Sequence, residues 1–188
     1  TYVPEYGCYV TPVYCTDEET WRSRILYNIT DIKKLESLTI DYPAKPENSF
    51  SLARVSDDSF AVYPLNQKYA VNQPLTEKYV QQYLGFYNSI SVEAFDNSNE
   101  KKDSIIYTTP FCSIATSYTD KSTDTVKIFY MPVNKRSKSQ YDDNGKEITY
   151  DIDRYYASLN HDKDFAIVQY YVMGKLFRHY RDFYFKPS

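Results

Sequence analysis

Tyrosine is the residue that most limits what this chain can fold into. The 188 residues include 22 tyrosines and 10 phenylalanines, whereas glycine occurs four times and methionine twice. Aromatic side chains fit the pleated, half-buried surface of a β-sheet. The hydrophobic fraction of 42% and the charged fraction of 25% are those of a folded chain that is long enough to bury a core. The composition therefore predicts a globular fold that is rich in sheet.

Strand-like segments occur in two groups along the chain. In the first group, three segments separated by short polar turns predict an antiparallel meander: 38–42, 49–55 and 60–63. A helix should follow, capped by Asn72, with Pro74 in its first turn and with apolar residues at helical spacing as far as Tyr87. The second group of strand-like segments comprises 104–107, 112–116, 125–130, 148–150, 153–159 and 165–168. The chain should end in a helix over 169–185, although its aromatic tail could instead be extended.

These segments predict an α+β fold in which each antiparallel β-meander is packed by one or two helices. In one form of this fold, the chain would consist of two related units of β-β-β-α type. An irregular arm rich in tyrosine and proline, together with a short helix, should occupy residues 1–30, and an α+β domain should occupy 31–188, with 31–98 and 99–188 as candidate sub-units. The short helix is indicated by a capping box that starts at Thr16, with Trp21, Ile25 and Leu26 available to pack.

Charge and hydropathy limit the partners that we expect. A formal net charge of −3 gives no long-range attraction for phosphate backbones or anionic membranes, so nucleic acid is not an expected partner. The basic run 135–138 lies next to Asp142 and Asp143, which is typical of a solvated loop. No apolar run approaches the roughly 18 residues of a membrane span, and no signal peptide opens the chain. Because the chain begins at Thr1, we expect a piece of a longer protein whose targeting segment has been removed.

Glycine and histidine usage gives no sign of a cofactor or metal site. Phosphate-binding loops, dinucleotide fingerprints and nucleophile elbows need glycines at set spacings, and the four glycines here are isolated. Zinc spacings of cysteine and histidine are also absent from the sequence. Asp142, Asn144, Gly145 and Asp151 partly match a calcium loop, but Gln140 stands where the first carboxylate should be. A hairpin turn at Asn144 and Gly145 explains the same residues, so we predict no catalytic, cofactor-binding or metal-binding residue.

Acidic pairs leave a hydrolase as a weaker alternative. The pairs are 57–58, 142–143 and Asp151 with Asp153, and each lies in or near a predicted turn, where carboxylates bond the local backbone. His161 is expected in a loop. His179 is expected in the terminal helix as a packed or surface residue.

The irregular arm holds the residues that we single out for partner binding. Its tyrosines offer rigid contact area for a protein or a sugar, although the simpler interpretation is that they fasten the arm to the domain. They are Tyr2, Tyr6, Tyr9 and Tyr14. Cys8 and Cys15 lie close enough to form a disulfide in an oxidising compartment, whereas Cys112 has no obvious mate.

Two segments near the start resemble a known family. The run 7–14, followed by 21–28, is similar to the middle of an uncharacterised family of membrane-anchored envelope proteins from Bacteroidetes, in which a Gly-Tyr-Leu-Thr-Pro-type segment precedes a Trp-Arg-Asp-Arg-type helix. Later segments similar to the C-terminal half of that family are 42–43, 49–50, 103–106, 153–156 and 168–170. The motifs are structural and identify no reaction.

The resemblance implies an extracytoplasmic location in the cell envelope, with attachment to the membrane only through an N-terminal anchor that this sequence lacks. Some members are encoded with gliding-type ABC transporters, so envelope proteins, transporter components among them, are the expected partners. Ser104 and Thr125, each between an aspartate and an aliphatic residue, are similar to O-glycan acceptor sites of that phylum. Cys8 departs from the family pattern, so a bridge from Cys8 to Cys15 would be particular to this chain.

The function expected from the sequence is therefore a non-enzymatic accessory or scaffold domain that binds another protein. The alternative is a module that binds carbohydrate or glycan.

Overall fold

The computed structural model describes residues 21–185, and its main element is an antiparallel sheet. The strands are β1 (Ile25–Tyr27), β2 (Leu35–Asp41), β3 (Phe50–Ser56), β4 (Ser59–Pro64), β5 (Ile90–Ser91), β6 (Ala94–Phe95), β7 (Cys112–Tyr118), β8 (Thr123–Pro132), β9 (Tyr150–Leu159) and β10 (Asp164–Gln169). The α-helices are α1 (Glu77–Gly85), α2 (Lys102–Ile106) and α3 (Tyr170–Met173). Short 3-10 turns at Gly174–Leu176 and Tyr180–Phe183 follow α3.

Both predicted meanders belong to one sheet. The strand order is β4-β3-β2-β7-β8-β9-β10-β6, and β1 with β5 forms a separate two-stranded sheet. At the centre β2 pairs with β7, where Ile40 lies opposite Ile114. The α+β prediction of antiparallel meanders with few helices is confirmed. Strands from the candidate sub-units 31–98 and 99–188 thus share one continuous hydrogen-bonded ladder.

One face of the sheet carries the main core. Side chains alternate between the two faces of a strand, and the buried set includes Leu38, Ile40, Phe50, Leu52, Cys112, Ile114, Val126 and Ile128. Helix α1 and the C-terminal turns cover this face, because the Phe50 ring contacts both Tyr83 of α1, at 5.8 Å between centroids, and Phe183, at 4.8 Å. The Tyr83 hydroxyl donates to the carbonyl of Leu176 at 3.0 Å. The core is therefore a layer of aromatic rings between sheet and helix.

Helix α1 exists where its apolar spacing predicts it, but it begins later than expected. The prediction that Asn72 caps it is wrong, because Thr76 precedes the first helical residue, Glu77. Proline disfavours helical geometry in the residue before it, so Pro74 holds Gln73 outside the helix. The backbone N–H of Thr76 instead donates to the carbonyl of Phe183 at 3.0 Å, which ties the start of the helix to the C-terminal turn.

The single helix predicted over 169–185 is also wrong. Helix α3 has four residues and passes into the 3-10 turn at 174–176, after which the chain leaves helical geometry until Tyr180. Gly174 has ordinary helical φ, but an added Cβ would lie 2.8 Å from the Tyr170 ring. A larger residue at position 174 would therefore push the Tyr170 ring away from the backbone on which it packs.

Two shorter predictions fail for a common reason. The strand expected at 104–107 is helix α2, and Ile25 and Leu26, which were expected on a helix, lie in β1. An aliphatic pair is too short to display either a helical or a strand period. The rest of the helix predicted after Thr16, at 16–20, lies outside the described residues.

The turn predicted at Asn144 and Gly145 is confirmed. The N–H of Gly145 donates to the carbonyl of Asp142 at 2.9 Å, and Tyr141 bridges to Glu147 across the turn. Gly145 has a φ of +76°, the left-handed geometry that glycine adopts without strain. The Asp142 carboxylate accepts from the N–H groups of Asn144 and Lys146, each at 2.9 Å. Local backbone bonds thus occupy one oxygen of the carboxylate that was considered for calcium.

The turn from β9 to β10 is the most strained part of the described backbone. Asn160, His161 and Asp162 have successive positive φ values of 52°, 57° and 66°. Two ion pairs flank this turn: Lys127 donates to Asp162 at 2.7 Å, and Arg22 binds Asp164. These side-chain bonds hold a backbone geometry that costs roughly 1–2 kcal/mol per non-glycine residue.

The ion pair between Arg22 and Asp164 predicts an acid-dependent loss of stability. Hydrogen bonds from the Arg22 guanidinium lower the pKa of Asp164 to about 2, and the Asn160 amide contributes. Because the folded-state pKa is depressed, the pair stabilises the protein fully above the unfolded pKa of about 4 and is lost as pH falls toward 2. We expect a contribution of about 1–2 kcal/mol, reduced by solvent around the partly exposed Arg22.

Urea unfolding between pH 7 and pH 2 checks this expectation. Asp164→Asn should reduce the free energy of unfolding at pH 7. It should also make that free energy depend less on pH below pH 4. Asp58→Asn, in the turn from β3 to β4, is the matched control. Equal slopes for wild type and Asp164→Asn below pH 4 would contradict the assignment.

Candidate aromatic binding surface

Exposed and half-buried aromatic rings gather at one end of the core face. We call this set the aromatic surface, and its members are Phe111, Tyr130, Tyr150, Tyr155, Tyr170 and Phe177. Tyr130 stacks on Tyr150 with centroids 4.8 Å apart, and Phe111 stacks on Tyr155 at 5.6 Å. Phe177 meets Phe111 edge-on at 5.1 Å. The rings therefore form one connected array.

Strand register creates this array. Tyr130 of β8 lies directly opposite Tyr155 of β9, on the same face as the buried Ile128 and Ala157. Directly opposed side chains in an antiparallel pair are close enough for their rings to touch. Tyr170, the first residue of α3, extends the array beyond β10, with its ring 6.4 Å from that of Tyr155.

A buried tyrosine supports the array from below. Tyr42, which directly follows β2, is buried, and its ring contacts Phe111 and His179 at 5.7 Å each. Its hydroxyl donates to the carbonyl of Arg178 at 3.0 Å. The hydroxyl group thus finds a partner inside the protein, as buried tyrosines usually require. The rings above it are held in place before any partner arrives.

The exposed rim of the array is made of tyrosines. Tyr130, Tyr150 and Tyr170 are 45%, 47% and 51% exposed, and the neighbouring Tyr171 is 93% exposed. Scattered apolar residues are normal on a protein surface, whereas a contiguous patch marks a binding surface. The patch is the strongest candidate for a functional surface in the described part of the chain.

Two tyrosines of the aromatic surface, Tyr130 and Tyr155, are neutral at physiological pH. Burial raises the pKa of Tyr155 to about 12, with a smaller contribution from Tyr130, and burial also raises the pKa of Tyr130. Their hydroxyl groups therefore keep their protons under physiological conditions. Such a surface can stack against flat groups and can donate and accept hydrogen bonds.

The residues that the sequence singles out lie elsewhere or outside the described range. Tyr2, Tyr6, Tyr9, Tyr14, Cys8 and Cys15 belong to 1–20, of which nothing is described. Ser104 is exposed on α2, whereas Thr125 is half-buried on β8. Cys112 is a buried free thiol, and burial raises its pKa. The structure does not bring the two glycan-acceptor candidates onto one element.

The acidic pairs and histidines are also dispersed. Asp57 lies in the turn from β3 to β4, whereas Asp151 and Asp153 lie on β9 and line two different cavities. His161 lies in the strained turn after β9, as its loop prediction requires. His179 precedes the 3-10 turn at Tyr180 rather than lying in a long helix.

Within residues 21–185, no three His, Cys, Asp or Glu side chains gather where they could hold a metal ion. None of the helices in that range is both long and apolar enough to cross a membrane.

The sequence contains one signal for the aromatic surface. Aromatic doublets occur at 129–130, 155–156 and 170–171. In the doublets that lie on strands, 129–130 and 155–156, one ring must point away from the face that buries the other. Register between distant strands decides whether such rings meet, and the sequence does not show that register.

Comparison with models of known protein families, with curated proteins and with solved structures found no match to this chain, so the resemblance to the envelope family stays a prediction.

Proposed function

We propose that this chain is a non-enzymatic scaffold or accessory domain that binds another protein through the aromatic surface. The observation that carries the proposal is the set of half-exposed tyrosines over a fixed aromatic base. Tyrosine is enriched in protein interfaces because its ring buries a large area and its hydroxyl still bonds water or a partner.

Preorganisation supports this proposal. Binding normally costs about 0.5–1.5 kcal/mol for each flexible side chain that it immobilises. The stacked pair of Tyr130 and Tyr150, together with the contacts of Tyr155, already restricts these rings. Folding has therefore already restricted these side chains, so that their further ordering on binding would cost little free energy.

The location and the partner class belong to the same proposal. The family resemblance is what favours the cell envelope, membrane attachment through a preceding anchor, and envelope proteins such as transporter components as partners. Because the aromatic surface carries no charge, we expect its binding to depend only weakly on salt.

A module that binds glycans is the second candidate. The exposed rings of Tyr130, Tyr150 and Tyr170 favour it, because an aromatic face can stack on the apolar face of a sugar while the hydroxyl groups bond its rim. Both candidates use the same surface, so one experiment can separate them.

Site-specific photocrosslinking in cells tests the proposal on the full-length protein. A photoreactive phenylalanine analogue replaces Tyr130 or Tyr170 in separate variants. The control position is Tyr63, which is also 50% exposed but lies on β4, five strands away from β9, and faces the opposite side of the sheet. We expect a discrete crosslinked protein from positions 130 and 170 and none from position 63.

The alternative outcomes are informative. Equal crosslinking from all three positions, or none from any, would contradict protein binding at the aromatic surface. Retention of the protein on immobilised envelope glycans, lost in Tyr130→Ala but kept in Tyr63→Ala, would favour the second candidate.

A further inference from the structure

A cavity of about 600 Å³ lies on the sheet face opposite the main core. Its apolar floor is formed by Met131, Tyr156 and Ile167. Tyr156 pairs with Phe129, one residue along from the pair of Ile128 with Ala157 that faces the core, so this floor belongs to the other face. The cavity is therefore separate from the aromatic surface, and its volume is typical of sites for small ligands.

A buried carboxylate with one unsatisfied oxygen lines this cavity. Asp151, at the start of β9, is 4% exposed. Its Oδ1 accepts from the N–H groups of Asp153 at 2.8 Å and Arg154 at 3.1 Å, whereas its Oδ2 has no hydrogen-bond partner. A buried carboxylate oxygen without a donor is costly, and such orphans in native proteins call for an explanation.

Lysine and arginine side chains line the same cavity, but none of them bonds to Asp151 Oδ2. Lys101, Lys135 and Arg136 are exposed residues of the wall, and no carboxylate of the described chain lies within 4 Å of their charged groups. Arg154 is different, because it is held by Glu93 through two hydrogen bonds of 2.8 and 3.0 Å. The cavity wall thus contains an acceptor without a donor, Asp151 Oδ2, and cationic side chains that do not bond to it.

We propose that this cavity binds a small zwitterion of the amino-acid or short-peptide class. The ammonium group of the ligand donates to Asp151 Oδ2, its carboxylate contacts Lys135 and Arg136, and its side chain lies on the apolar floor. A simple cation would leave the lysines and Arg136 unpaired, whereas a simple anion would leave Asp151 unsatisfied. A ligand with both charges pairs with Asp151 and with the cationic side chains at the same time. The side chains of Lys135 and Arg136 move to admit it, since neither has a partner to hold it.

Isothermal titration of the full chain tests the proposal. The probes are the free proteinogenic amino acids and their alanyl dipeptides. Whichever compound binds is then compared with its N-acetylated form, which lacks the ammonium group, and with its amide, which lacks the carboxylate. We expect saturable binding at one site for the zwitterion, with each blocked form weaker by about tenfold or more. No binding by any probe, or equal binding by either blocked form, would overturn the proposal.

Variants separate the site from a structural role of Asp151. Asp151→Asn keeps the oxygen that accepts from residues 153 and 154 but replaces Oδ2 by a donor, so it should fold and should lose affinity about tenfold or more. Arg136→Ala should also weaken binding. Lys146→Ala, on the exposed hairpin turn of the same loop, is the matched control and should leave the affinity unchanged. Equal affinities of wild type and folded Asp151→Asn would show that the carboxylate does not contact a ligand.

Discussion

Replacing Phe50 with alanine should lower the free energy of unfolding by about 3–5 kcal/mol, the usual cost of removing a fully buried phenylalanine. Phe50 has no exposed surface and contacts both Tyr83 of α1 and Phe183 of the C-terminal turn. Its removal would therefore leave a cavity where sheet, helix and C-terminal turn meet. Urea unfolding followed by far-ultraviolet circular dichroism measures the loss.

Tyr63→Ala is the control for Phe50→Ala. Tyr63 lies on the neighbouring strand, opposite Ser51, and its side chain is half exposed on the other face. A surface truncation of this kind should change stability by about 0.5 kcal/mol or little more. Equal losses for the two variants would mean that the aromatic layer does not hold the helix to the sheet.

Replacing Arg54 with alanine should cost about 2–4 kcal/mol, because several backbone carbonyl groups lose a charged donor at once. The Arg54 guanidinium donates to the carbonyls of Ile32 and Leu35, and also to that of Asp57 at 2.9 Å. It also lies over the Phe60 ring, 4.9 Å from its centroid. The Arg54 side chain of β3 thus links the turn before β4 to the segment that leads into β2.

Arg54→Lys and Glu36→Gln give the contrast for this prediction. A lysine ammonium cannot reproduce the planar set of donors, so Arg54→Lys should recover less than half of the loss. Glu36 lies 3.9 Å from Arg54 but is 57% exposed, so Glu36→Gln should change the urea midpoint little. A larger loss for Glu36→Gln than for Arg54→Ala would show that the ion pair, rather than the carbonyl contacts, stabilises this region.

The strands were the most predictable part of the fold. Alternation of side chains identified β3, where Phe50 and Leu52 face the core and Ser51 faces away, and polar turns separated it from β4. The start of α1 was less predictable, because Asn72 and Thr76 are both acceptable caps and a tertiary bond to Phe183 favours the second. The single C-terminal helix was not predictable, because the chain leaves helical geometry between Leu176 and Tyr180 and then buries Tyr180 and Phe183 in the core.

The candidate sites were largely beyond sequence reasoning. Asp151 looked like one more turn residue, and only the structure shows that it is buried with one oxygen unsatisfied. The aromatic surface joins Tyr130 of β8 and Tyr155 of β9 with Phe111, which precedes β7, and its tyrosines resemble core residues in the sequence. In both cases the decisive quantity is the register between strands, which depends on the whole sheet.

The central pairing of β2 with β7 has a consequence for how the chain is made. About seventy residues separate the two strands, so closing this ladder carries a large entropic cost and should come late in folding. During synthesis the first meander emerges well before β7 and has one hydrogen-bonding edge of β2 uncovered. Until β7 covers it, that edge is open to wrong pairing with other strands.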